Sequence, residues 1–255
     1  MVTIAVTALI THAWWRPHAA SPSFHRLTYQ RGVVSNARFA PGGKQVVYSA
    51  MWEGSPYDVF EVDADRAISR SLGLPGMSLA AVSSNMLAVA GNLGYRTDTY
   101  QARKLMVVPR SGGAPRAVAE DVSLADWAPD GQTLAVVTHH GSENRIEMPP
   151  GHVIARTTGY PSVLRVSPDG HRLAFVERTY TDSRGCVVVL DDQGKLVLRT
   201  REWLSVLSLA WAPGGAEVWF AAQTEEDDGW GLRAISMQGR VRTVFRGPWR
   251  WCCAT

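Results

Sequence analysis

Cysteine is scarce, with three in 255 residues, so no disulfide framework holds this chain together. Net charge is small as well: the formal value is +3, and 23 of the 26 basic residues are arginine, a balance too slight to mark a polyanion-binding domain. A sustained apolar stripe at 3.6-residue spacing is missing, which excludes stacked helical repeats. No long uncharged apolar run is present either. The longest, Val2 to Trp15, covers 14 residues, against the roughly 20 needed to span a bilayer. Gly-x-Ser-x-Gly, His-Arg-Asp and Asp-Phe-Gly are all absent, so the chain carries neither a hydrolase nucleophile elbow nor the catalytic elements of a protein kinase.

What the chain does have is a recurrent turn. Ala40-Pro41-Gly42-Gly43, Ala128-Pro129-Asp130-Gly131, Ser167-Pro168-Asp169-Gly170 and Ala212-Pro213-Gly214-Gly215 each precede an apolar, strand-like run. Proline presets the first turn dihedral and glycine accepts positive φ, so each signal is a hairpin with a physical cause. The prolines are 88, 39 and 45 residues apart, and 88 is twice 44. The missing copy is degraded: Leu79 to Val89 aligns with Leu124 to Val136 once two residues are removed from the turn. Five units result.

Arginine keeps the same time. Arg26, Arg70, Arg116, Arg156, Arg199 and Arg242 recur at intervals of 44, 46, 40, 43 and 43 residues. A period of 40 to 45 residues with several short strands per unit predicts four-stranded propeller blades. In the fourth unit the strands are placed at 162–166, 172–177, 186–190 and 195–200. The same plan puts strands at 45–50 and 57–63, at 105–109 and 116–119, and at 217–222 and 232–236.

The first stretches of this pattern resemble a known family. Phe24-His25-Arg26-Leu27-Thr28, then Ala37-Arg38-Phe39-Ala40-Pro41-Gly42-Gly43 and Val46-Val47-Tyr48-Ser49-Ala50, are similar to the opening of the TolB-like, WD40-like propeller repeats of bacteria. The resemblance covers residues 24 to about 247. It implies an all-β propeller of four-stranded blades, about five of an expected six, with the ring incomplete. Residues 24–28 would be the N-terminal strand that completes the last blade in a closed ring. It is left over here, and the eight residues from Pro248 to Thr255 are too few to build its partners, so the chain reads as a fragment with exposed edges.

Three segments follow: an apolar leader and Pro/Ser linker at 1–23, the propeller at 24–247 and an irregular tail at 248–255. The leader is read as the end of a truncated transmembrane or signal-like segment. The resemblance then implies a non-catalytic scaffold for protein or ligand binding, the extracytoplasmic, membrane-associated sensor module of a larger protein. The alternative is the substrate-gating propeller of a prolyl-oligopeptidase-like hydrolase without its catalytic domain. No nucleic-acid partner is expected, because the basic stretch Arg240, Arg242, Arg246 and Arg250 reads as a charged outer edge.

No catalytic, cofactor-binding or metal-binding residue is assigned. His139-His140 with His152 or His171 would need convergent geometry to hold a metal, and side chains adjacent on a strand point apart. The acidic run Glu225-Glu226-Asp227-Asp228 lacks the alternating spacing of a calcium loop and reads as a solvated hairpin tip. Cys186 reads as a small buried hydrophobe, and the Cys252-Cys253 pair has no further ligands at metal spacing. Phe39, Trp127, Val166 and Trp211 occupy equivalent positions before the Pro turns and are expected to pack between blades.

Overall fold

Each hairpin signal builds the turn that its residues dictate. In the computed structural model, which describes residues 25–91, 103–181, 183–224 and 229–246, Gly43, Gly131, Gly170 and Gly215 have φ of +71°, +68°, +79° and +71°. Their N–H groups donate to the carbonyls of Ala40, Ala128, Ser167 and Ala212 at 2.9, 2.9, 2.9 and 3.0 Å. The degraded copy closes by a shorter route, with Ser83 N–H donating to the Met86 carbonyl at 2.8 Å.

These turns join antiparallel strands into blades. The first blade is β1 (Gly32–Phe39), β2 (Gln45–Trp52), β3 (Asp58–Asp63) and β4 (Ser69–Ser71). The second is β5 (Met77–Val82), β6 (Met86–Gly91), β7 (Arg103–Pro109) and the start of β8 (Arg116–Trp127). The end of β8 then opens the third blade, followed by β9 (Leu134–His140), β10 (Glu143–Glu147) and β11 (Val153–Thr157). The fourth is β12 (Tyr160–Val166), β13 (Arg172–Arg178), β14 (Gly185–Asp191) and β15 (Leu196–Arg199). The fifth is β16 (Ser205–Trp211), β17 (Glu217–Gln223), β18 (Trp230–Ser236) and β19 (Val241–Arg246).

The sequence places a unit boundary inside 116–127, and the chain crosses it without a break. Arg116 to Ala119 pair with β7, Val122 pairs with both β7 and β9, and Leu124 to Trp127 pair with β9, so β8 fuses the second and third blades into one seven-stranded sheet. Asp121, at φ +55°, marks the change of partner.

Apolar side chains on both faces of the middle strands hold the blades together. Val47 and Val59 of the first blade pack with Leu79 and Leu87 of the second. Ala81 and Leu105 meet Val122 and Val136 of the third, Val137 and Ile146 meet Leu164 and Phe175 of the fourth, and Val176 and Val187 meet Val206 and Phe220 of the fifth. Each fully buried Val, Leu or Phe of this kind contributes roughly 1.5–3 kcal/mol. Among the described residues, no such cluster joins the fifth blade to the first.

The segment at 24–28, expected to be left over from an incomplete ring, completes no blade among the described residues. Residues 25–29 carry no ladder pairing, and Phe24 lies outside the described residues. An apolar, strand-like pattern becomes a strand where an edge accepts its hydrogen bonds, and none of the sheets extends to it. Leu27 instead packs on Val46, Tyr48, Ala50 and Val62, on the face of the first blade turned away from the second. The leader at 1–23 and the tail at 248–255 also lie outside the described residues.

The arginine period has a simple origin. Arg70, Arg156, Arg199 and Arg242 sit on outermost strands and reach inward to Glu61, Glu143, Glu177 and Glu217 at 2.7, 2.6, 2.6 and 2.6 Å. In the second blade the edge pair is Lys104–Glu120 at 3.5 Å. The arginines are half-exposed, and water screens such pairs, so they add little to stability.

Glu61 differs from the rest. Its side chain is 6% exposed and accepts hydrogen bonds from both Arg70 and Arg110, the latter from the turn after β7, so it ties the second blade to the first. Burial pushes this carboxyl up, but the two guanidinium groups outweigh it and hold it below the ordinary glutamate range. A depressed carboxyl stabilises the fold above its unfolded pKa, about 4.3, and that stabilisation is lost as pH falls through the folded value. Glu61→Gln should therefore lower the urea-unfolding free energy by about 2 kcal/mol at pH 7. The gap from wild type should narrow steadily as the titration is carried to pH 3.

Candidate functional site

The innermost strands of the five blades, β1, β5, the end of β8, β12 and β16, share a device that the residues do not announce. Each carries a register shift in mid-strand, between Val34 and Asn36, Leu79 and Ala81, Val122 and Leu124, Ser162 and Leu164, and Val206 and Ser208. A bulge bends its strand and re-aims the side chains beyond it. In β12 the bulged residue, Val163, takes φ +58°, a strained conformation for a β-branched side chain.

Beyond the bulges, the residue three places before each turn differs from blade to blade. Arg38, Asp126 and Arg165 hold that place in the first, third and fourth blades, and Ala81 and Ala210 in the second and fifth. The arginines line a cavity of about 70 Å³ between the inner strands of four blades, with Arg103, Asn36, Ser78 and Ser123 as its other polar wall. Leu79, Leu105 and Leu164 supply an apolar side.

Most of the polar wall is tethered. Asn36 Nδ2 donates to the Leu79 carbonyl at 3.1 Å and Arg103 Nη1 to Ser78 Oγ at 3.2 Å. Val166 N–H donates to Asp126 Oδ2 at 2.9 Å, stapling the third blade to the fourth. Arg38 Nη1 and Arg165 Nη1 each donate to the carbonyl of the preceding residue, at 2.9 and 2.6 Å. Arg38 Nε is buried and has no acceptor among the described residues.

The charges in this ring feel one another across the channel. Burial, together with repulsion from Arg165, lowers the Arg38 guanidinium to about 10, against a partial counter-effect of Asp126. Burial also lowers Arg165, which Asp126 partly offsets. For Asp126, desolvation outweighs the attraction of Arg165 and the Val166 N–H, so its carboxyl lies above the ordinary range. Three arginines against one aspartate leave the cavity electropositive.

The residues singled out in the sequence are scattered. His139 and His140 lie at the end of β9 opposite Asn144 and Glu143, whereas His152 pairs through its backbone with Met148 at the other end of β10. His171 is in the next blade, 3.0 Å from Asp192, which raises its pKa. Among the described residues, no three His, Cys, Asp or Glu side chains converge on a metal position. Cys186 is buried, and its burial pushes the thiol up. Arg242 is paired on the outer strand with Glu217. Glu225 to Asp228, Arg250 and the Cys252-Cys253 pair lie outside the described residues.

The position before the Pro turn packs between blades in three of the four expected places, and Phe39 does not. Trp127 lies against the second–third blade core, Val166 in the third–fourth and Trp211 against the fourth–fifth, where its Nε1 donates to the Arg165 carbonyl at 3.2 Å. Phe39, at 68% exposure, holds the same place on the one blade that has no described blade before it. The ring of Arg38, Asp126 and Arg165 lies one residue away from these aromatics. Listing the neighbouring column of the repeat would have found it.

No protein-family model matches the chain, and no curated protein matches it by sequence. Solved structures do. TolB from Acinetobacter baumannii superposes with a TM-score of 0.68 at 17% identity, over 87% of this chain and 56% of that one. A putative TolB from Agrobacterium tumefaciens gives 0.62 at 14% identity, covering 84% and 81%. An oligogalacturonate lyase in complex with manganese gives 0.61 at 14%, covering 88% and 68%. The chain thus spans just over half the length of the first of these proteins. The likeness is one of fold: the chain is a TolB-like β-propeller.

Asp126 offers a direct check on the electrostatics. A carboxyl raised in the folded state costs stability as pH rises from its unfolded pKa, about 3.9, through its folded value. Asp126→Asn keeps an acceptor for Val166 N–H, so its urea midpoint should gain on wild type as pH rises from 3 to 7. Asp126→Ala leaves that N–H unpaired and should lose about 1–3 kcal/mol across the range.

Proposed function

We propose that this chain is a non-catalytic propeller scaffold, and that the mouth of its central channel binds a protein segment or small ligand outside the cytoplasm. One observation carries the reading. The polar groups that line the cavity are guanidinium, amide and hydroxyl donors, which hold a ligand well but do not form a nucleophile–base pair. Ser78 and Ser123 direct their hydroxyls to the carbonyls of Ala90 and Val137, at 3.4 Å each.

Fold likeness supports the setting without naming the partner, because propellers of this kind host unrelated functions. A larger, membrane-associated protein of which these blades form the sensing or docking part fits both the TolB likeness and the apolar character of Val2 to Trp15. Among the described residues, no helix is long and apolar enough to cross a membrane.

A photo-cross-linking residue placed at Ser123 in the channel, and another at Leu196 on an outer strand, tests the reading in cells. A discrete adduct from position 123 with none from position 196 is expected. Matching adducts from both positions, or turnover of a prolyl peptide or an oligogalacturonide by the purified chain, would overturn it.

A further inference from the structure

The charge in the channel points to a ligand chemistry, and the inference rests on the binding reading above. Arg38 and Arg165 line the same cavity from the first and fourth blades, and Arg165 adds to the cost of ionising Arg38. Asp126 compensates one of them while accepting a hydrogen bond from Val166 N–H. Arg103 adds a third positive charge to the wall. A buried guanidinium N–H without an acceptor is costly, and Arg38 Nε is in that position among the described residues. The surplus charge and the open donor call for the same thing, an anion seated between the arginines.

We propose that this cavity binds a carboxylate attached to a short apolar stem. Planar guanidinium groups match a planar carboxylate through paired hydrogen bonds, and one negative charge suits a wall whose arginines Asp126, lying behind the lining, already compensates in part. Leu79, Leu105 and Leu164 form the apolar side on which a stem of a few carbons would lie. A strongly hydrated dianion such as phosphate gains nothing from those leucines and is repelled more by Asp126. With a volume of about 70 Å³, the cavity admits a small acid or the end of a longer chain. The carboxylate has two natural sources, a free short-chain acid or the C-terminus of a peptide.

Calorimetric titration of the full chain tests this, with isovalerate as the probe and isovaleramide as its uncharged counterpart. Isovalerate should bind and the amide should not. Arg38→Gln should weaken binding about tenfold, the loss of one charge-assisted hydrogen bond. Asp126→Asn should strengthen it several-fold, because it removes the resident competitor. This second variant decides the matter should Arg38→Gln fail to fold. A tripeptide ending in leucine, free or amidated, then separates the sources: tighter binding of the free-acid peptide than of isovalerate assigns the site to a peptide terminus, and weaker binding assigns it to the small acid. Equal binding of acid and amide, preference for inorganic phosphate, or weaker binding by Asp126→Asn would overturn the proposal. An intact cross-link from position 123 beside any of those results would remove the carboxylate assignment alone and leave the scaffold reading standing.

Discussion

A sheet of four strands with apolar side chains on both faces is unstable by itself, and the burial of those faces against neighbouring sheets is the constraint from which this molecule follows. Val47, Val136, Val137, Val176 and Val187 are all buried in middle strands, Val136 toward the blade before and the others toward the blade after. Such strands read as nearly continuous apolar runs, and this is why the chain needs repetition. The Pro-Gly and Pro-Asp-Gly turns return each strand at the right length, and the arginine-bearing outer strands end each sheet in solvent. Phe39, Val33 and Val34 show the same constraint from the other side, since they are exposed on the blade without a described predecessor.

Packing blades face to face around an axis crowds the innermost strands, and the bulges answer that crowding. All five inner strands bend at an inserted residue before reaching their turns. Beyond the bend, the position three places before the turn holds a small residue in two blades and a charged one in three. A repeat that is uniform in its core thereby acquires a channel wall that differs from blade to blade. Scaffold and specificity sit one residue apart on the same strand.

How much of this was legible in the sequence depended on how local the cause was. Turn chemistry acts within four residues, so Pro41, Pro129, Pro168 and Pro213 gave the blade count and most strand positions directly. The arginine period was equally visible, but its partners were not: Glu61, Glu143, Glu177 and Glu217 sit on a third strand in two blades and on a second strand in the other two. Cross-strand register after a bulge depends on the whole sheet, and the channel ring needed that register to be seen. Residues 25–28, expected to be left over from an incomplete ring, join no sheet, since pattern alone does not supply an edge to pair with. The continuity of β8 was hidden by the repeat itself, which implies a boundary that this strand ignores.

That continuity reaches beyond architecture. Twelve residues of one extended segment serve as the outermost rail of one blade and the innermost rail of the next. These two blades share one continuous strand, whereas the other junctions are held by packed side chains and single hydrogen bonds such as Asn36 to Leu79 and Val166 to Asp126. The pair should therefore behave as a single cooperative block in native-state amide exchange, with protons in β6 and β9 released in the same opening event. The first, fourth and fifth blades would open as separate blocks around it, leaving the fused pair as the rigid keel of the array.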